Sequence, residues 1–229
     1  MDDRYFDMYP SFERLSGFMA RTSTRTFFND GHSQAALTDR IFYSLNISRN
    51  HVAWPVQVHS GTVDYTRDPG AVFKCDGLVT DREDLFLLIR TADCIPLFLG
   101  DKESGLKAMV HAGWRGIYNG IAENAVLLMK KKGSCPENIC AVFGPAICEA
   151  CYEVGEEVAG LFPDHNRKQG TKFLLNLKSA LNQQLNDAGL KSENILLTNS
   201  CTVCQRERYV SYRLNKTDER LISIIGYFL

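Results

Sequence analysis

Three residues in this chain carry metal-binding or nucleophilic chemistry at the ends of apolar runs. They are His59 in QVHSGTV, Cys94 in TADC and His111 in VHAGWRG. Strand ends are places where side chains from distant segments can converge on one pocket. Two imidazoles and a thiolate suit zinc and leave a fourth position open for water, whereas a structural zinc site is closed by a fourth protein ligand. The same Cys94 and His111 also fit a metal-free hydrolase or amidase, with the thiol as nucleophile and the imidazole as base. Stretches of 35 and 17 positions separate the three residues, which matches no short zinc motif.

Two CxxC pairs, Cys148/Cys151 and Cys201/Cys204, add four more thiols. A four-cysteine zinc ribbon usually spaces its pairs by ~15–20 residues. Here 49 residues intervene, so the pairs read as thiols lining or supporting the pocket. A thioredoxin-like role lacks its βαβ setting. Arg21, Arg115 and Arg213, in MAR, HAGWRG and SYR, can each grip phosphate through a forked guanidinium or form an ordinary ion pair. Arg115 stands just before an expected helix start at Gly116, and its structural alternative is a pair with Glu123. Trp114 is either core packing or a stacking wall. For a hydrolytic step a carboxylate must move a proton, and Asp93 and Asp76 are the candidates. The HxE…PCxxC deaminase signature is missing, as are a P-loop, a GxSxG elbow and a GxGxxG fingerprint.

The elements that must position these residues follow from apolar patterning. Strands are expected in GFMARTS, on both sides of Ser60-Gly61, around a turn at Asp76-Gly77, and in LFLLI, IPLFL and LKAMV. The last two runs are joined by DKESG as a hairpin. Pro96 places its strand at an edge or at a strand beginning. DRIFYSLNI is ambiguous between helix and strand. Ile117, Ile121, Ala125, Leu128 and Met129 mark one helix face. NICAVFGPAI is a strand, GEEVAGLF a helix, and Leu177 to Ala188 a longer helix capped by Gly189. ENILLTN, RYVSYR and RLISIIGYF read as closing strands. Strands interrupted by single helices without a βαβ rhythm point to α+β, in one domain over 1–229.

Composition narrows the class. The chain has 229 residues, 45% hydrophobic and 23% charged, with a net charge of −1. Its longest basic run, Lys130–Lys132, sits where a helix ends, so no nucleic-acid footprint is present. The acidic start MDDRYFDMYP is unlike a secretory signal, and no apolar run reaches the ~18 residues of a membrane span. Eight cysteines in such a chain read as reduced thiols in a cytoplasmic protein.

Together, QVHSGTV, DGLVTD, TADCIPLFL, VHAGWRG, FGPAICEACYEVGEE, CTVC and SYR resemble the laccase-domain family, once called multicopper polyphenol oxidases, from about Gly17 to the C-terminus. The resemblance implies a four-layer αββα sandwich of mixed sheets, similar to a toxin deamidase that uses a Cys–His pair. It implies one zinc on His59, Cys94 and His111. It also implies phosphorolysis of adenosine, inosine, guanosine and S-methyl-5'-thioadenosine to base and (methylthio)ribose 1-phosphate, with deamination of adenosine to inosine. The expected partners are purine nucleosides and phosphate, without nucleic acid or membrane. The chain departs from the family pattern at Ser60, Asn176 and Leu214, and in having Asp218-Glu219 where one glycine is usual. Copper is disfavoured, since coupled oxygen chemistry needs more imidazoles than five histidines supply.

Overall fold

The computed structural model describes residues 3–28 and 34–227. Two six-stranded sheets form its centre. In spatial order the first contains Phe6–Met8, Met19–Ser23, Leu221–Gly226, Phe86–Thr91, Val52–Val56 and Gly70–Phe73. The second contains Ile195–Leu196, Cys140–Phe143, Ile95–Asp101, Leu106–Ala112, Gly77–Thr80 and Val63–Tyr65. Both mix parallel and antiparallel pairs.

Three apolar cores stack these sheets. Between them, Phe18, Ala20, Leu87, Ile89 and Ile225 meet Leu78, Phe98, Met109 and Val142. The outer face of the second sheet is covered by helices Ile121–Lys131 and Leu177–Asp187. The outer face of the first is covered by helix Gln34–Ser44 and the turn Arg25–Phe28. The order is helix, sheet, sheet, helix, an α+β arrangement of four layers. A strand in the middle is buried on both faces, which is why Ile95–Asp101 and Leu106–Ala112 are apolar almost without alternation. A small sheet of Glu153–Val154, Lys172–Leu175 and Asn166–Gln169 joins the second helical layer.

Local signals explain most boundaries. Asn176 caps Leu177–Asp187 by accepting the Ser179 N–H, and Gly189 follows its end at φ 97°. DKESG closes the expected antiparallel hairpin, and Pro96 stands near the start of a strand that is interior to its sheet. DRIFYSLNI resolves as helix through Ser44, with Leu45–Ile47 beyond its end. The helix expected through Ile117 and Met129 is broken at Gly120 (φ 71°), giving Trp114–Tyr118 and Ile121–Lys131. RYVSYR is not a strand: Ser211 Oγ accepts the Leu214 N–H and starts the short helix Tyr212–Asn215. Among the described residues no helix is long and apolar enough to cross a membrane.

One topological feature builds the site. The chain passes from the first sheet to the second three times: between Val56 and Val63, between Phe73 and Gly77, and between Thr91 and Ile95. His59, Asp76 and Cys94 lie in these three passages. His111 closes the strand that pairs with both Gly77–Thr80 and Ile95–Asp101. Leu221 stands opposite Thr91, so the segment leading into it, 212–220, meets the same end of the sandwich.

Candidate metal centre and nucleoside cavity

The passages bring the donor atoms of His59, Cys94 and His111 within 4.8 Å of one another. His111 is buried, Cys94 partly buried and His59 exposed. Asp76, fully buried beneath them, holds the arrangement. Its Oδ1 accepts from His59 N (2.9 Å) and pairs with His111 Nδ1 (2.9 Å); its Oδ2 accepts from Val58 N (3.1 Å), Ser60 N (2.7 Å) and Ser60 Oγ (2.9 Å). A carboxylate on Nδ1 fixes the imidazole ring and leaves Nε2 as its ligand atom, the usual support for a metal-binding histidine. Burial opposes the Asp76 charge, but its bonds to His111 and Ser60 bring the pKa down to about 2.

The backbone is bent to make this convergence. His59 and Asp93 both adopt left-handed φ, 59° and 83°, which residues other than glycine hold only when their surroundings impose it. Gly113 is needed for a different reason: a Cβ there would stand 3.0 Å from Cys94 Sγ and 3.6 Å from the His59 ring. Burial pushes the Cys94 thiol up, yet the two imidazoles outweigh it and bring its pKa to about 6. Burial likewise opposes charge on His111, while Cys94 and Asp76 raise it to about 9. The two groups thus stabilise each other's charged forms, thiolate on Cys94 and imidazolium on His111.

The three residues open onto a cavity of about 530 Å³, within the usual range for small-molecule sites. Trp114, Tyr152 and Tyr212 supply aromatic surface, and Arg90, Arg115, Arg213 and Arg220 supply positive charge. Arg115 stacks on Trp114 at 4.3 Å rather than pairing with Glu123. Arg213 lies 5.1 Å over Tyr152 and donates to Glu153 O. Arg220 lies 5.5 Å over Tyr212 and donates to Thr217 O and Glu219 O. The helix Trp114–Tyr118 begins two positions earlier than expected, so Arg115 is its second residue rather than the residue before it.

Not every expected residue arrives. Arg21 is not part of this cavity; it is buried against Glu13 and donates to Ala20 O (2.7 Å). Asp76 does not line the cavity, and its carboxylate is fully engaged below it. Asp93 does line it, but its oxygens accept from Thr202 Oγ1 (2.6 Å) and Arg213 N (2.7 Å). Sequence reading missed Arg90, Arg220, Gln57, Tyr152 and Tyr212. Arg90 carried a signal, being the charged residue that ends the apolar run LFLLI directly before TADC.

Comparison with known proteins settles the kinship. A family model described as multi-copper polyphenol oxidoreductase laccase matches residues 28–227. The chain belongs to this laccase-domain family. A relative from Shigella flexneri named purine nucleoside phosphorylase YfiH is 34% identical over 81% of this chain and 77% of its own. Another, from an unknown prokaryotic organism and named adenosine deaminase RL5, is 31% identical over 74% and 72%. The crystal structure of YlmD from Geobacillus stearothermophilus superposes with a TM-score of 0.89 at 25% identity, covering 100% of this chain and 98% of that one. The relatives named in this way are enzymes of purine nucleosides, and the fold of this chain is shared with the YlmD structure.

Proposed function

We propose that this chain is a zinc-dependent purine nucleoside phosphorylase that also deaminates adenosine, with adenosine, inosine, guanosine and S-methyl-5'-thioadenosine as substrates. The observation that carries the reading is the His59–Cys94–His111 donor set facing a cavity walled by both aromatic rings and arginines. Relatives named for these two activities support it.

The residues fit a zinc ion. Two imidazoles and a thiolate are its preferred donors, they lie within one coordination sphere of each other, and the fourth direction opens to the cavity. When bound, zinc supplies Lewis acidity and lowers the pKa of water to ~7. Copper oxidase chemistry has less support: the other described histidines are engaged elsewhere, His51 with Asp84 and His165 with Ser179.

The chain's own residues divide the remaining work. Trp114, Tyr152 and Tyr212 hold the flat base by stacking. Arg115, claimed by no backbone carbonyl among the described residues, takes phosphate through its fork, and Arg213 and Arg220, already held by carbonyls, set the positive field around it. Asp76 and Asp93 act by positioning, the first on His59 and His111, the second on the loops beside Cys94. All eight cysteines lie among the described residues and none is joined in a disulfide, in keeping with a cytoplasmic setting.

Chromatography of adenosine incubated with the protein tests this. Phosphate should convert it to adenine and ribose 1-phosphate, and its omission should leave only inosine formation. Base release at the same rate without phosphate would make the enzyme a hydrolase.

A second reading has one specific observation behind it. Cys94, His111 and Asp76 form a nucleophile, base and orienting carboxylate, and the thiol is already acidic. A metal-free Cys–His hydrolase or amidase would use the same three groups, and only turnover by metal-free protein supports it.

A further inference from the structure

The two CxxC pairs, too distant in sequence to suggest a common site, meet in space. The segments carrying them are joined through the main chain of Ala146, whose N donates to Ser200 O (3.3 Å) and whose O accepts from Thr202 N (3.3 Å). All four sulfurs lie within 4.8 Å of one another. Cys204 Sγ is 3.4 Å from Cys151 Sγ and 3.9 Å from Cys148 Sγ.

We propose that Cys148, Cys151, Cys201 and Cys204 form a second, closed metal site that holds a structural zinc ion, separate from the His59–Cys94–His111 centre. A tetrahedron with zinc–sulfur bonds of ~2.3 Å has edges of ~3.8 Å, and the two sulfur separations bracket that length. A disulfide brings its sulfurs to ~2.05 Å, so these are four separate thiols arranged around a common point. Four cysteines close the coordination sphere and leave no place for water or substrate, which makes the site structural rather than catalytic.

The surroundings suit a thiolate centre. Cys201 Sγ accepts main-chain N–H bonds from Cys148 (3.3 Å) and Cys204 (3.4 Å). Such donors favour a thiolate over a thiol at that sulfur. Lys178, largely buried, donates to Thr198 O and Ser200 O and senses the charge of Cys201 and Cys148. A zinc with four thiolates carries two negative charges, so a fixed ammonium beside it is stabilising. On loading, each thiol still protonated gives its proton to solvent as its sulfur takes the metal, and no electron moves.

The site clamps the loops that finish the cavity. Ile147 N donates to Asp93 O (3.0 Å), and Thr202 Oγ1 donates to the Asp93 carboxylate (2.6 Å). Ile147 and Thr202, two of the three donors to Asp93, are next to cysteines of the cluster, and Tyr152 follows Cys151 directly. The second zinc thus fixes the residue before Cys94 and one aromatic wall.

Metal analysis by native mass spectrometry, with intact mass under denaturing conditions, tests the site in the full chain. Wild-type protein should carry two zinc ions, Cys94→Ala one, and Cys148→Ser/Cys204→Ser one, the last with a lowered melting temperature. If the double variant does not fold, wild-type protein still decides. Peptide mapping should show Cys151 and Cys204 alkylated at least tenfold faster after chelation than before. Full zinc content in Cys148→Ser/Cys204→Ser would overturn the proposal. So would alkylation unchanged by chelation, or a wild-type mass short by the hydrogens of disulfides at these four residues.

Discussion

Replacing Asp76 with asparagine keeps the shape of the side chain and removes the property the site uses, two acceptor oxygens with charge. One amide face must then present N–H to donors. Turned one way it faces His59 N and His111 Nδ1; turned the other it faces Val58 N, Ser60 N and Ser60 Oγ. Each buried donor left without an acceptor costs ~1–3 kcal/mol, so two of them cost about 3 kcal/mol. For a chain of this length that is a fall of roughly 10 °C in melting temperature. Loss of the orienting carboxylate should also weaken zinc binding at His59–Cys94–His111 by ~10–100-fold. Competition with a coloured chelator reads the affinity, and calorimetry reads the stability. Zinc affinity within twofold of wild type, with an unchanged melting temperature, would refute the positioning role. A collapse of turnover alone, with metal and stability intact, would return Asp76 to proton transfer.

Three other substitutions probe different links in the account. Arg115→Lys retains charge but loses the fork, so the phosphate KM should rise ~10-fold while zinc content and deamination persist; steady-state kinetics with varied phosphate decides it. Gly113→Ala places a methyl 3.0 Å from Cys94 Sγ, and that crowding should cost ~1–3 kcal/mol, seen as weaker zinc retention on dialysis. Lys107 is fully buried between Phe18 and Tyr227, donates to Arg82 O, and has its pKa pushed down by burial to about 8. Its folded value lies below the unfolded ~10.4, so the unfolded chain binds more protons between them, and stability should rise with pH across that window. Relative to Lys107→Met, wild-type protein should gain on the order of 3 kcal/mol between pH 8 and 10.5 in denaturant titrations, and parallel curves would contradict this.

The sequence disclosed the layers better than it disclosed the connections between them. Continuous apolar runs such as IPLFL and LKAMV announced strands, and Gly189 marked the end of a helix, whereas the cap at its start, Asn176, went unread. Nothing local says that the chain changes sheets after Val56, Phe73 and Thr91, because a passage between layers has the same polar composition as a hairpin turn. That is why Asp76 read as a free carboxylate when it lies beneath His59 and His111. It is also why 49 intervening residues argued against a union of the CxxC pairs that the fold brings about. Arg21 failed for a related reason: an arginine in a conspicuous segment looks the same whether it faces a cavity or Glu13. His59, Cys94 and His111 were legible because their chemistry is restrictive and each sits at the end of a run.

Metal removal and return tests the central claim most directly. Protein stripped of metal by chelation should lose adenosine phosphorolysis, and zinc should restore it in wild type but not in His59→Ala or Cys94→Ala. Undiminished turnover by the stripped wild-type protein would contradict the metal centre and leave Cys94 and His111 acting as a metal-free pair.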